Sequence, residues 1–71
     1  MKRYLIAIEE TRTGSPASLP DLEGCVSTGL TRDEVEANMR EATALRLEGL
    51  RLESIPAPVP HAYSTCVEIP F

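Results

Sequence analysis

Apolar and polar positions along the chain change period twice, and the changes divide it into elements. Over residues 2–10 the alternation is partial, with Tyr4, Ile6 and Ile8 on one face and Leu5, Ala7 and Glu9 on the other. This β-branched and aromatic content predicts a half-buried strand that ends at Glu9-Glu10. Thr11-Arg12-Thr13-Gly14-Ser15 reads as a hairpin connection, with Gly14 free to take positive φ. The return strand spans about Ser15 to Leu19. Pro16 cannot donate to a ladder, so this strand is expected at an edge or carrying a bulge. Pro20 to Gly24 turns the chain, and Cys25 to Thr28 makes a short third strand closed by Gly29.

The period then becomes helical. Thr31-Arg32-Asp33-Glu34 has the spacing of a capping box, in which the Thr31 hydroxyl accepts from the Glu34 amide and Glu34 reaches back to the Thr31 amide. Asp33 and Glu34 also suit the positive end of the helix dipole. The helix is expected from Arg32 to about Glu53, roughly 33 Å at ~1.5 Å per residue. At ~100° per residue, Val35, Met39, Ala42, Leu45, Gly49, Leu50 and Leu52 gather on one side as a face for a sheet. Arg46 falls inside that arc, and its stem is expected to lie on apolar surface rather than to hold a ligand. Leu47 lies off the stripe, where an exposed leucine would hint at a second contact surface.

Pro56, Pro58 and Pro60 alternate with Ala57 and Val59, which stops the helix and holds the connection extended. A stiff spacer explains that segment better than a ligand for a proline-binding domain. His61 to Ile69 resumes a two-residue period, with Tyr63, Thr65, Val67 and Ile69 on one face and Ser64, Cys66 and Glu68 on the other. The predicted fold class is α+β in the order β-β-β-α-β, a small antiparallel sheet with one long helix packed on one face. The whole chain, residues 1–71, is expected to be a single domain.

A domain this small is marginal unless disulfides, a metal or self-association support it. The two cysteines, Cys25 and Cys66, follow no secretory signal: only five apolar residues, Tyr4 to Ile8, come after Met1-Lys2-Arg3. The expected setting is therefore cytoplasmic, with reduced thiols and no membrane segment. Self-association into a homodimer or homotetramer is the expected support. Seven basic and eleven acidic residues give a net charge of −4. That opposes direct nucleic-acid binding and suits a basic protein partner, although plain solubility explains it equally well.

Reaction chemistry is poorly represented. The single histidine, His61, and the Cys25 thiol could form a nucleophile pair, but nothing local marks Cys25 as activated, and packing is the commoner role of a small buried cysteine. Cys25, Cys66 and His61 lack metal-ligand spacing. Asp21 and Glu23 could act as paired carboxylates; in a turn, the simpler reading has both solvated and Asp21 bonded to its own turn amides. There is no glycine-rich phosphate loop, and the aromatics are Tyr4, Tyr63 and Phe71 alone. No enzyme activity, metal or cofactor is expected.

Pro20-Asp21-Leu22-Glu23-Gly24-Cys25, then Gly29, then Thr31-Arg32-Asp33-Glu34-Val35, Asn38, Glu41-Ala42, Leu47-Glu48-Gly49-Leu50 and Ile55-Pro56-Ala57-Pro58 form an ordered set. Together they resemble the HicB-like family of antitoxin domains, with the likeness covering about Tyr4 to Ile69. The resemblance implies a partial RNase H-like fold without the catalytic carboxylates of true RNase H. It also implies a neutralising partner of a HicA-type toxin, a small basic RNA-cleaving protein. On this resemblance Asp21, Leu22 and Glu23 are candidate partner-binding residues. Glu23 stands where the family usually has proline, and Ser15 and Ser18 where aromatics are common. Longer family members add a C-terminal DNA-binding segment. The 71 residues hold none, so operator binding is not implied, and a short stand-alone member is expected. The competing reading is a small-molecule or regulatory binding module on the same scaffold; a hydrolase remnant is the third.

Overall fold

A computed structural model describes residues 2–70, so Met1 and Phe71, and with Phe71 one of the three aromatics, lie outside the described residues. The fold is α+β, with three short antiparallel strands followed by one helix: β1 (Ala7–Ile8), β2 (Ala17–Ser18), β3 (Val26–Ser27) and α1 (Arg32–Leu52). The sheet order is β1-β2-β3. Ala7 pairs with Ser18 and Ile8 with Ala17, while Ala17 pairs with Ser27 and Ser18 with Val26. The hairpin closes where expected, on an isolated bridge between Thr11 and Gly14.

β2 is the central strand, not an edge. The proline explains how. The Glu9 amide donates to the Pro16 carbonyl at 3.1 Å, so the backbone of residue 16 faces β1. The reciprocal bond from residue 16 cannot exist. The ladder is thereby cut short at its hairpin end, while the side facing β3 keeps the Ser15 amide on the Gly29 carbonyl at 2.8 Å and the Leu19 amide on the Cys25 carbonyl at 3.1 Å. Burial alternates without a break from Ser15 to Leu19: Ser15, Ala17 and Leu19 are buried, Pro16 and Ser18 exposed. The two-residue period survives although the ladder is two residues long.

The helix starts as expected and differs in one detail. Thr31, extended at φ −128 and ψ 164, accepts from the Glu34 amide at 3.1 Å. The Glu34 carboxylate reaches one residue further back, to the Leu30 amide at 3.4 Å, rather than to Thr31. Asn38 Nδ2 donates to the Thr28 carbonyl at 2.8 Å and pins the first turns to the end of β3. Val35 and Met39 are fully buried, which contributes about 2 kcal/mol each. Around them stand Ala17, Leu19, Leu22, Cys25 and Leu50, with Tyr4, Ile6, Ile8, Ala42 and Leu47 half-buried against the cluster.

The buried stripe is rotated from the expected one. Leu45 and Leu52 are exposed, Leu47 is half-buried against the core, and Arg46 is exposed. The expected arc was centred too far toward Leu45 and Leu52. Its true centre runs through Val35, Met39 and Thr43 to Leu50. Arg46 falls within that arc and is nonetheless exposed.

The helix ends on a Schellman motif that the prolines alone did not reveal. The Ile55 amide donates to the Leu50 carbonyl at 2.9 Å and the Ser54 amide to Arg51 at 3.1 Å, with Ser54 at φ 59. A left-handed residue with a Cβ is strained there. Ser54→Gly is expected to raise stability by about 1 kcal/mol. A thermal melt checks it, and an unchanged or lower Tm would refute the assigned helix end.

One turn earlier, the hydrogen-bonded Arg51 guanidinium holds the Glu48 carboxyl below the usual carboxylate range. A lowered folded value means the pair's contribution is whole above the ordinary carboxylate pKa and is lost as pH falls through the folded value. Melting temperatures of the parent chain and Glu48→Gln should therefore converge toward acid; a gap that widens there contradicts the pairing.

The expected strand over His61–Ile69 does not form among the described residues. After Ile55 the chain runs irregularly past the sheet. Tyr63, Val67 and Ile69 are 82%, 74% and 68% exposed. A strand exists only where an edge supplies its hydrogen bonds, and this segment lies against none.

Candidate functional site

The turn between β2 and β3 is built by its own backbone. The Leu22 amide donates to the Leu19 carbonyl at 3.1 Å and the Cys25 amide to the Leu22 carbonyl at 3.3 Å. Gly24 takes φ 81, which a side chain would strain. These bonds point Leu22 and Cys25 inward, where both are 5% exposed. The Cys25 sulfur lies 3.6 Å from the Thr43 hydroxyl. This is a packed thiol tied to the helix, with no base beside it.

Asp21 does not bond its own turn amides as expected. Its carboxylate, with a side chain only 1% exposed, accepts from the backbone amides of His61 and Ala62, both at 3.1 Å. His61 Nδ1 lies 3.0 Å from the other carboxylate oxygen and 3.1 Å from the Val59 carbonyl. Both neighbours of that nitrogen are acceptors, so it carries a hydrogen. The Tyr4 hydroxyl adds a second anchor, donating to the Pro58 carbonyl at 2.7 Å. Together they strap the proline-rich connection across the end of the sheet.

The three candidate partner-binding residues are thus placed differently. Asp21 holds the strap, Leu22 belongs to the core, and Glu23 is exposed. His61 meets Asp21 rather than Cys25. Nothing in the sequence paired Asp21 with a segment forty residues away, because the contact uses the amides of His61 and Ala62, which any residue but proline would supply. Among the described residues no three His, Cys, Asp or Glu side chains converge as a metal site. Nor is any helix there long and apolar enough to cross a membrane.

Removing the buried acceptor should release the strap. Asp21→Ala is expected to cost about 2 kcal/mol and to speed hydrogen exchange at the His61 and Ala62 amides. Unchanged exchange at both would show that the strap is held by something else.

Two open depressions flank the sheet. One, of about 660 Å³, lies over the strands at Ala7, Pro16, Ser18 and Val26. The other, about 630 Å³, runs between the N-terminal segment and the helix, with Tyr4, Ile6, Leu19 and Leu47 in its walls and Lys2 and Arg40 among its charged residues. The second exists because the helix lies over β3 and β2 and not over β1. Apolar surface predominates in the lining of both.

Comparison with known proteins finds a relative in Haemophilus phage HP1, an uncharacterized 14.9 kDa protein in the rep-hol intergenic region, 40% identical over 47 residues. The match covers 66% of this chain and 35% of the phage protein. The chain therefore aligns with about a third of that relative's length. No protein-family model matches the chain, and no solved structure does.

Proposed function

We propose that the chain is a protein-binding module of the HicB-like antitoxin type, or an orphan relative of it, acting by covering the working surface of a small basic RNA-cleaving partner. The observation that carries this reading is an exposed surface with more unpaired acid than base, the exposed cations outside ion pairs being Lys2, Arg3, Arg12, Arg40 and Arg46. Among the described residues ion pairs engage Glu10 with Arg32 and Glu48 with Arg51, while Asp21 is hydrogen-bonded to His61. Glu9, Glu23, Asp33, Glu36, Glu41 and Glu53 are exposed and outside these pairs. Such a surface repels phosphate, steers a basic protein toward it and gains affinity when the partner's cations arrive. The ordered motifs from Pro20 to Pro58 support the family reading, and Glu23, being exposed, is the candidate contact residue.

Co-expression with a HicA-type protein encoded beside this chain tests the proposal. A stable complex and rescued growth are expected; failure of both refutes the antitoxin reading. Magnesium-dependent nuclease activity that Asp21→Asn abolishes would overturn it in favour of a hydrolase. The second reading, a small-molecule or regulatory module, rests on the apolar groove beside Tyr4 and Leu47. A ligand retained in native mass spectrometry would favour it.

A further inference from the structure

A compact monomer of 7.8 kDa exposes roughly 4,400 Å². This chain exposes 6040 Å². The excess, roughly 1,600 Å², is the size of a standard protein interface. The radius of gyration, 14.0 Å, likewise exceeds the roughly 11 Å of a compact chain of this length, and the longest axis reaches 49 Å. Two features account for the open surface. One is the segment over residues 61–69. The other is the uncovered side of β1.

The two are complementary. In β1 the Glu9 amide points to β2, so alternation turns the amides and carbonyls of Ile6 and Ile8 outward to a free edge. On the helix side of that edge lies the groove walled by Tyr4, Ile6 and Leu47, whose residues stay half-buried because no element covers them. Residues 61–69 have what this edge lacks: an unpaired run of two-residue period with Tyr63, Val67 and Ile69 at alternate positions, all exposed. At ~3.3 Å per residue, residues 63–69 paired as a strand would span roughly 23 Å, ample for the edge.

We propose that residues 63–69, beyond the strap, form an arm that adds as a fourth strand to the free β1 edge of a second copy of this chain, with Tyr63, Val67 and Ile69 in that copy's groove, and that the exchange is reciprocal. The occupant is a second copy rather than the chain's own arm because of where the arm starts. Continuing the register of Ala7 with Ser18 sets Tyr4 across from Asp21. The strap passes from Pro58, under the Tyr4 hydroxyl, to His61 and Ala62 on Asp21, and so travels across the end of the sheet away from β1's free side. Reaching its own edge would demand a reversal at once. Residues 61–69 contain no glycine, proline, asparagine or aspartate, and their one serine, Ser64, comes two residues after the strap's last bond at Ala62. Two identical arms and two identical edges close a twofold dimer and leave neither edge open.

Light scattering and hydrogen exchange on the intact chain test this, alongside Val67→Glu. Val67 is exposed in the single copy, so the variant leaves each copy's core and its helical circular dichroism intact. The parent chain should scatter as twice 7.8 kDa, with slow exchange at the Ile6 and Ile8 amides. Val67→Glu should weaken the dimer at least about 100-fold and expose both amides. A monomer at every concentration overturns the proposal, whether or not the arm is protected. So does a dimer that Val67→Glu leaves unchanged, since the interface then lies elsewhere. Neither measurement involves a toxin, so the outcome is independent of the antitoxin reading.

Discussion

Gly29→Ala is expected to destabilise the chain by about 3 kcal/mol, which at roughly 6 °C per kcal/mol lowers Tm by close to 20 °C in a domain of this size. Gly29 is buried at the end of β3, where the chain passes directly under the helix start. A Cβ placed there would stand 2.6 Å from the Val35 amide nitrogen and 2.9 Å from its Cα. Those atoms are backbone, in the first turns of a helix fixed by Thr31 and by Asn38 on Thr28. They cannot swing aside as a flexible side chain would. Relief requires lifting the helix from the sheet, which opens the core at Val35. The Gly29 carbonyl also accepts from the Ser15 amide, so the displacement would propagate into the central strand. A thermal melt decides it, and a Tm within a few degrees of the parent would show that the approach is looser in solution.

Met39→Ala is the second large effect, at about 3 kcal/mol. Met39 is 0% exposed at the centre of the cluster, between the helix and the sheet. With so little core elsewhere, the cavity has few neighbours able to collapse into it. Leu45→Ala is the informative control. Leucine at 68% exposure contributes little, and its loss should stay within about 0.5 kcal/mol. The two residues belong to the same stripe by helical periodicity, so equal costs would mean that the helix packs with the rotation read from the sequence rather than the one described above. Urea midpoints of the two variants separate the cases.

Helix α1 was legible from its residues alone, cap included. Strong helix formers, a threonine three residues before Glu34, and prolines after Ile55 are local signals, each acting within a turn or two. The hairpin at Thr11 to Gly14 and the turn at Pro20 to Cys25 were legible for the same reason. Pro16 was read correctly as a defect and wrongly as an edge marker. A missing donor limits one side of a strand, and whether that side faces a neighbour's ladder or its end depends on register, which is non-local. The candidate site was less legible. Leu22 reads as surface or core with equal ease in a turn, and only the packing of Val35 and Met39 made it core.

What the sequence determined by itself, then, is what short-range chemistry controls: the element types and their order through the helix, the cap, the turns, the packed role of Cys25 and the net acidity. Tertiary structure alone decided the central place of β2, the rotation of the helix face and the capture of the strap by Asp21. It also decided the fate of residues 61–69. Their alternation states an intention to pair, yet a strand is completed by an edge, and the nearest free one lies on the far side of a strap that the sequence does not announce. Periodicity is a property of a segment, and pairing is a property of two.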